Sequence, residues 1–271
     1  IEIEERVFQI KAKSLVGSKI LRHQVSEGLN EWAKGVWKKS VKQIKKEAGQ
    51  ILESSKVSDL IIFGSKIILA GAPNAGKSTL LNKMAVKEKA IVTNIGGTTR
   101  DWVSSRLKIH NLDVEMVDTA GISEVLAKKS GGLKEVFQQQ SLELLKEAEL
   151  VLLIVDASVG WVQFDKRLLD YLKSKKVVTV LNKCDAGENF DVTALPRELS
   201  EYVKISALEG KGLDELGRKI LSVLNVEGYE LKSATAFTER QKHLLAKATE
   251  AETKERAEVI ISDLLNGKLV V

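Results

Sequence analysis

Eight consecutive residues, Gly71-Ala-Pro-Asn-Ala-Gly76-Lys77-Ser78, constrain this chain more than any other feature. They match G-x-x-x-x-G-K-[ST] at every fixed position, a loop whose glycines let the backbone wrap a phosphate chain with its N–H groups. The pattern carries meaning only between a buried strand and a helix, and the sequence predicts both. Residues 66–70 form a short apolar run, and Leu80, Leu81 and Met84 follow at helical spacing. The positive end of that helix favours an anion. Lys77 is the candidate to reach the β- and γ-phosphates and Ser78 the candidate Mg²⁺ ligand, with Asn74, Ala75, Gly76 and Thr79 completing the loop.

A second motif names the base. Asn182-Lys183-Cys184-Asp185 follows the apolar run 177–181. A carboxylate at Asp185 can accept two hydrogen bonds from guanine, one from N1–H and one from the 2-amino group; adenine offers no such pair. Asn182 would tether neighbouring loops, and the Lys183 stem would pack over the ring. Ser206-Ala207 follow another short run, 202–205, and present backbone donors for guanine O6. Taken alone, N-K-x-D is a common tetrapeptide; its order and distance after the phosphate loop give it this meaning.

Between the two lie candidate switch segments. Asp118-Thr119-Ala120-Gly121 follows the run 114–117. Asp118 is predicted to hold the Mg²⁺ shell through water, and Gly121 to donate its N–H to the γ-phosphate and reorient after hydrolysis. Thr98 and Thr99, inside Gly-Gly-Thr-Thr-Arg-Asp at 96–101, are candidates to complete the Mg²⁺ site, Thr99 ahead of Thr98. Ile122 follows Gly121, where a Ras-type GTPase carries a glutamine that orients the attacking water. Isoleucine cannot do this, so another residue places the water, a cation shares the work, or hydrolysis is very slow.

Apolar runs at 66–70, 114–117, 150–155 and 177–181 alternate with helical stretches such as 135–148 and 166–173. This alternation predicts an α/β domain with a doubly wound, mostly parallel sheet and helices on both faces. The flanks are helical. Val41, Ile44, Ala48 and Ile51 form one apolar stripe, residues 7–21 read as an earlier helix with Gly17 as its weak point, and Thr238 reads as the N-cap of a charged helix carrying Leu244, Leu245 and Ala248. The expected division is a helical segment 1–62, a nucleotide-binding domain 63–227 and a second helical segment 228–271.

Composition narrows the classes. Cys184 is the single cysteine, which excludes an intramolecular disulfide and a cysteine metal cluster. The longest apolar run, 150–155, is far short of the roughly 20 residues a bilayer span needs, so no membrane partner is expected. Residues 1–5 are acidic and do not read as a secretory or transit peptide. The missing initiator methionine points to a mature form or an excised piece. A net charge of +5 and a pI near 9.0 suit a nucleic-acid partner and suit an ordinary lysine-rich surface equally well.

Together, residues 71–82, 90–101 (A-I-V-T-N-I-G-G-T-T-R-D), 118–122 and 182–185 resemble the MnmE (TrmE) family of tRNA-modifying GTPases, within the wider TrmE-Era-EngA-like group. Residues 6–20 and 238–246 (T-E-R-Q-K-H-L-L-A) are similar to that family's helices on either side of its G domain, which separates the chain from Era-like and Der-like relatives. The resemblance implies a G domain inserted into a helical domain and GTP hydrolysis serving modification of the tRNA wobble uridine. It implies a flavoprotein partner of the MnmG (GidA) type, and a bacterial cytoplasm or mitochondrial matrix; the lysine-rich composition leans toward the organelle. It also implies K⁺, held by Asn74 and by carbonyls of the loop 93–98, with Thr93, Ile95 and Thr98 as candidates. Such an ion would stabilise charge between the β- and γ-phosphates, promote a G-domain homodimer and answer the problem of Ile122.

The family orients its water through a glutamate beyond D-T-A-G. Glu135 is the nearest acidic match, Lys134 stands at the strictly spaced position, and Glu124 is the second choice. Two departures stand out: no folate-binding domain precedes the helices, and the chain ends Asn266-Gly-Lys-Leu-Val-Val271 without the family's cysteine-bearing tail. A fragment, a mis-assembled gene model or a reduced homologue is therefore expected. The alternatives are a GTP-switched ribosome-assembly or RNA-binding factor, and a truncated homologue that binds nucleotide without turning it over.

Overall fold

The computed structural model describes residues 1–87, 103–118, 145–159 and 170–266. The chain divides into two compact units: Ile1–Gly64 with Asn225–Val271, and Ser65–Leu224.

The first unit is helical. It begins with α1 (Glu2–Gln9), α2 (Leu15–Ser26), α3 (Leu29–Lys34) and α4 (Val41–Phe63). The predicted stripe on α4 is buried at Ile44, Ala48 and Ile51 and continues through Ser55, Ser58, Ile61 and Ile62. Ser40 starts this helix with a reciprocal capping box to Gln43.

The single helix expected over 7–21 is two helices. Ser14 caps α2 by accepting from Gly17 N, while Lys13 N donates to Ile62 O and Ser14 Oγ to Ile61 O. A local cap plus two bonds to the end of α4 outweighs continuation of the helical period. Gly17 is not the weak point: a Cβ there would stand 2.8 Å from Ile62 Cα, so glycine is what lets α2 close onto α4.

The second unit opens with β1 (Ser65–Gly71) and α5 (Lys77–Lys87), continues through β2 (Val103–Ile109), β3 (Leu112–Asp118), β4 (Leu150–Asp156), β5 (Val177–Asn182) and β6 (Tyr202–Lys204), and closes with α6 (Leu213–Val223). Among the described residues the six strands lie in the order β2-β3-β1-β4-β5-β6. β1 pairs in parallel with β3 on one side and β4 on the other, β5 and β6 continue in parallel, and only β2 runs antiparallel, against β3.

Sequence reading marked five of these strands and missed β2. Its signal is an alternation: Ser105, Leu107 and Ile109 are buried while Arg106 and Lys108 are exposed. By contrast, β4 is buried from Leu150 to Val155, the continuous apolar run of a strand covered on both faces. Of the helices predicted at 135–148 and 166–173, residues 145–147 and 170–172 are helical, and the remainder lies outside the described residues.

The chain then returns to the helical unit through α7 (Glu239–Glu250) and α8 (Lys254–Asn266). Thr238 caps α7 as predicted, accepting from Gln241 N, and Leu244, Leu245 and Ala248 are buried. The charged helix that follows Thr238 ends at Glu250, with Ala251 as its C-cap. The segment before α7 is stitched in by buried polar bonds: Gln24 Oε1 accepts from Thr235 N at 2.9 Å, and Ser55 Oγ accepts from Ala236 N at 2.8 Å. Among the described residues no helix is long and apolar enough to cross a membrane.

Candidate nucleotide-binding site

The strand order reverses at β1, whose two neighbours are β3 and β4. In open α/β sheets ligands bind beyond the carboxyl ends of the strands at such a switch point. The predicted residues gather at that edge. Gly71 ends β1 opposite Ile154, Asp118 ends β3 opposite Leu69, and Asn182 ends β5 opposite Asp156 of β4.

Backbone geometry explains the two glycines of the phosphate loop. Gly71 has φ +143°, and a Cβ there would meet Ile154 O at 2.2 Å; Gly76 has φ +97°, and a Cβ there would meet Asn182 Nδ2 at 2.2 Å. Asn74, at φ +63°, is exposed on the rim of the loop. Lys77 is buried. Its ammonium donates to Gly71 O at 3.0 Å and Ala72 O at 2.9 Å, which holds the charge at the mouth of the loop. Ser78 Oγ hydrogen-bonds Asp118 Oδ2, and Thr79 follows on the exposed face. Asp118 is buried, and its Oδ1 has no hydrogen-bond partner among the described residues.

Asn182 joins this loop to the second motif. Its Nδ2 donates to Ala75 O at 2.8 Å, and its Oδ1 accepts from Ala207 N at 2.9 Å. Lys183 takes the left-handed conformation, φ +66°, and its ammonium lies 2.6 Å from Asp156 Oδ2. Asp156 Oδ1 accepts from Ser158 N at 3.0 Å and Ser158 Oγ at 2.6 Å. Burial raises the pKa of this carboxyl, and the bonds from Lys183 and Ser158 outweigh it, leaving it below the ordinary value.

Asp185 sits in a short 3-10 turn, Cys184–Ala186, exposed and with no hydrogen bond to its carboxylate among the described residues. Cys184 points elsewhere: its Sγ donates to Leu181 O at 3.3 Å, and burial together with Glu188 pushes its thiol pKa up. The Ser206–Ala207 loop is folded on itself, with Ser206 O accepting from Gly210 N at 2.8 Å. Lys83 of α5 donates to Leu208 O at 2.9 Å.

Asn74, Ala75, Gly76, Lys77, Ser78, Thr79, Asp118, Asn182, Lys183, Asp185, Ser206 and Ala207 thus stand on strand ends, loops and the first turn of α5 at one edge of the sheet. Thr93, Ile95, Thr98, Thr99, Gly121 and Glu135, with Glu124 and Ile122, lie outside the described residues. Sequence reading missed Asp156 and Lys83. Asp156 left a faint trace, a carboxylate closing a fully apolar strand; Lys83 left none, because one lysine on an exposed helix face resembles any other.

A phosphate loop at the switch of a parallel sheet, tied by one asparagine to an Asn-Lys-x-Asp turn, is the layout of a P-loop GTPase. Comparison with known proteins agrees: residues 66–183 match the family model described as "50S ribosome-binding GTPase". The tRNA modification GTPase MnmE of Thermosipho melanesiensis is 36% identical over 207 residues, 75% of this chain and 44% of that protein. MnmE of Aquifex aeolicus is 36% identical over 201 residues, 74% of this chain and 43% of that protein. This chain belongs to the MnmE family. It spans less than half the length of these curated relatives. A crystal structure of Aquifex aeolicus Era bound to GDP.AlF4- is 31% identical over 67% of this chain and 64% of that chain, with a TM-score of 0.45.

Proposed function

We propose that this chain binds GTP with Mg²⁺ and hydrolyses it with the help of K⁺, as the nucleotide-operated part of an MnmE-type system that modifies the tRNA wobble uridine. The observation that carries the reading is the Asn182 side chain, bonded at once to Ala75 of the phosphate loop and Ala207 of the guanine loop. This link supports reading the phosphate and base ends as one site.

In this reading the backbone N–H groups of 74–79 cradle the phosphates and Lys77 moves from its loop carbonyls to the β- and γ-phosphate oxygens. Asp185, exposed and with no donor to its carboxylate among the described residues, accepts from guanine N1–H and the 2-amino group, and Ala207 N donates to O6. Ser78 and Asp118 fit a divalent ion: one hydroxyl, one carboxylate and a buried carboxylate oxygen lacking a partner. Bound there, Mg²⁺ neutralises charge on the phosphate oxygens.

The remaining assignments belong to the same proposal. Thr99 or Thr98 completes the Mg²⁺ shell, Gly121 contacts the γ-phosphate, and Glu135 orients water. Asn74 with Thr93, Ile95 and Thr98 holds K⁺. The partners are a second G domain, an MnmG-like flavoprotein and tRNA, and the compartment is bacterial cytoplasm or mitochondrial matrix. The division of labour keeps the expected segments, helical 1–62 and 228–271 around a G domain 63–227.

A second reading, a GTP-switched ribosome-assembly factor, draws on the description of the matching family model. GTP turnover in KCl against NaCl at equal ionic strength tests the first. A higher rate in KCl is expected, and equal rates with intact GTP binding would remove the K⁺ assignment. Co-sedimentation with ribosomal subunits in the GTP form, without affinity for an MnmG-like flavoprotein, would favour the second.

A further inference from the structure

Residues 32–46 of the helical unit read W-A-K-G-V-W-K-K-S-V-K-Q-I-K-K: six lysines, two tryptophans and no acidic residue. They run from α3 through the 3-10 turn Val36–Lys38 into the first turns of α4. Two of the lysines are engaged: Lys34 pairs with Glu31 at 3.4 Å and Lys39 with Glu47. The ammonium groups of Lys38, Lys42, Lys45 and Lys46 make no hydrogen bond or ion pair among the described residues, although Lys46 lies near enough to Glu47 to help hold its carboxyl below the ordinary value. The carboxylates facing the patch are occupied by Lys34, Lys39 and Lys254, the last lying 3.4 Å from Glu258.

The two tryptophans differ. Trp32 is anchored: its Nε1–H donates to Glu47 Oε2 at 2.7 Å, and Lys39 stands over its ring at 5.8 Å. Trp37 is 51% exposed; its backbone is pinned where Lys254 Nζ donates to Trp37 O at 2.9 Å.

Fold stability does not explain this arrangement. The start of a helix favours carboxylates and disfavours cations. α4 has no acidic residue in its first turn and carries Lys42, Lys45 and Lys46 in its first two. Its backbone donors are already served by the Ser40–Gln43 capping box, so the surplus lies in the side chains.

We propose that this face of the helical unit binds single-stranded RNA, Trp37 stacking on an unpaired base while Lys38, Lys42, Lys45 and Lys46 hold the flanking phosphates. A basic groove with an exposed aromatic is how single strands are gripped. A membrane surface fits less well, because the apolar face of α4 is spent on the protein core, leaving no apolar stripe on this helix to insert. The inference rests on the RNA-directed reading above only for its choice of RNA among polyanions.

The test uses the full chain and a labelled 12-nucleotide single-stranded RNA of mixed sequence. The same chain is offered a duplex of equal length and vesicles of phosphatidylserine and phosphatidylcholine. Trp37→Ala is expected to weaken single-strand binding about tenfold, Trp37→Phe less, in line with base–aromatic stacking. Trp37→Phe should abolish most of the tryptophan quenching on binding. Replacing Lys38, Lys42, Lys45 and Lys46 by Gln should lower the slope of log affinity against log salt by about 3, near 0.7 for each phosphate that no longer has a lysine to neutralise it. Affinity for a fluorescent GDP should stay unchanged in every variant. Unaltered RNA binding in these variants, or vesicle or duplex binding with the same dependence on them, would overturn the proposal. If the chain binds RNA through this face and binds no guanine nucleotide, the GTPase reading falls and this one stands.

Discussion

The Asn182 amide donates to the carbonyl of Ala75, 107 residues earlier in the chain, at 2.8 Å. Asn182 ends β5 and Ala75 lies in the loop after β1, so this bond fixes the separation of the phosphate loop and the Asn-Lys-x-Asp turn. Asn182→Ala removes it together with the bond from Ala207. Loss of buried hydrogen bonds of this kind costs about 1–3 kcal/mol each, and guanine-nucleotide affinity should fall at least tenfold. Gly76→Ala should act through the same pairing, since its Cβ would lie 2.2 Å from Asn182 Nδ2. The double variant should then be clearly less than additive. Additive losses of GDP affinity would show that Asn182 and the loop act separately.

Ser78 and Asp118 share a hydrogen bond while Asp118 keeps a buried oxygen without a partner among the described residues. Ser78→Ala is expected to raise the Mg²⁺ concentration needed for half-maximal GTP turnover at least tenfold, with GDP binding in EDTA nearly unchanged. A loss of GDP binding that is equal with and without Mg²⁺ would place Ser78 in the fold of the loop and not on the ion.

In the proposed base site, guanine selection rests on the exposed Asp185 carboxylate. Asp185→Asn keeps an acceptor for N1–H but puts a donor opposite the 2-amino group, where xanthine carries a matching oxygen. Competition with xanthosine diphosphate should improve and GDP affinity should drop at least a hundredfold. Unaltered GDP affinity would remove Asp185 from the base site.

The sheet was legible because its central strands are rich in Val, Ile and Leu and end at a motif or a carboxylate, as with 67–70 before Gly71 and 150–155 before Asp156. β2 was not, because Ser105 and Arg106 dilute its alternation and a single buried face gives no continuous run. The phosphate and guanine motifs announced themselves through spacing, since their function needs fixed residues in fixed order. Asp156 and Lys83 hold motif residues from elsewhere in the sequence, at separations of 27 and 125 residues. Pairing across such distances is a property of the folded sheet and leaves no local pattern. Gly17 is the reverse case, a residue read as a local weakness because its partner Ile62 is visible only after α2 and α4 pack.

That packing gives a test of the helical unit. Helix propensity alone says Gly17→Ala should stabilise α2 by about 1 kcal/mol. The close approach, 2.8 Å to Ile62 Cα and 3.1 Å to Ile61 O, says the opposite, since backbone cannot move aside as a side chain can. Overpacking at such a point costs about 1–3 kcal/mol, so urea denaturation should show net destabilisation, larger for Gly17→Val. A more stable Gly17→Ala would mean that α2 does not close onto α4 in this way.

The Asp156–Lys183 pair ties nucleotide-site geometry to pH. The Asp156 carboxyl is held below the ordinary aspartate value, because burial, which raises it, is outweighed by bonds from Lys183 and Ser158. A depressed folded value means that ionised Asp156 stabilises the folded unit. Its contribution is complete above the unfolded value of about 3.9 and disappears as pH falls through the folded value below it. With Asp156 19% and Lys183 35% exposed, solvent screening limits the pair to about 1 kcal/mol, or about 2–4 °C in the Tm of a unit this size. Asp156→Asn should therefore lower the Tm by that amount from pH 7 down to pH 5, with the gap to the parent protein closing only below about pH 4. The same variant frees the Lys183 ammonium, so GDP dissociation should quicken several-fold at pH 7 while binding of inorganic triphosphate, which has no base for Lys183 to cover, stays constant. Equal losses for GDP and triphosphate would show that Asp156 supports the whole site and not the residue that covers the base.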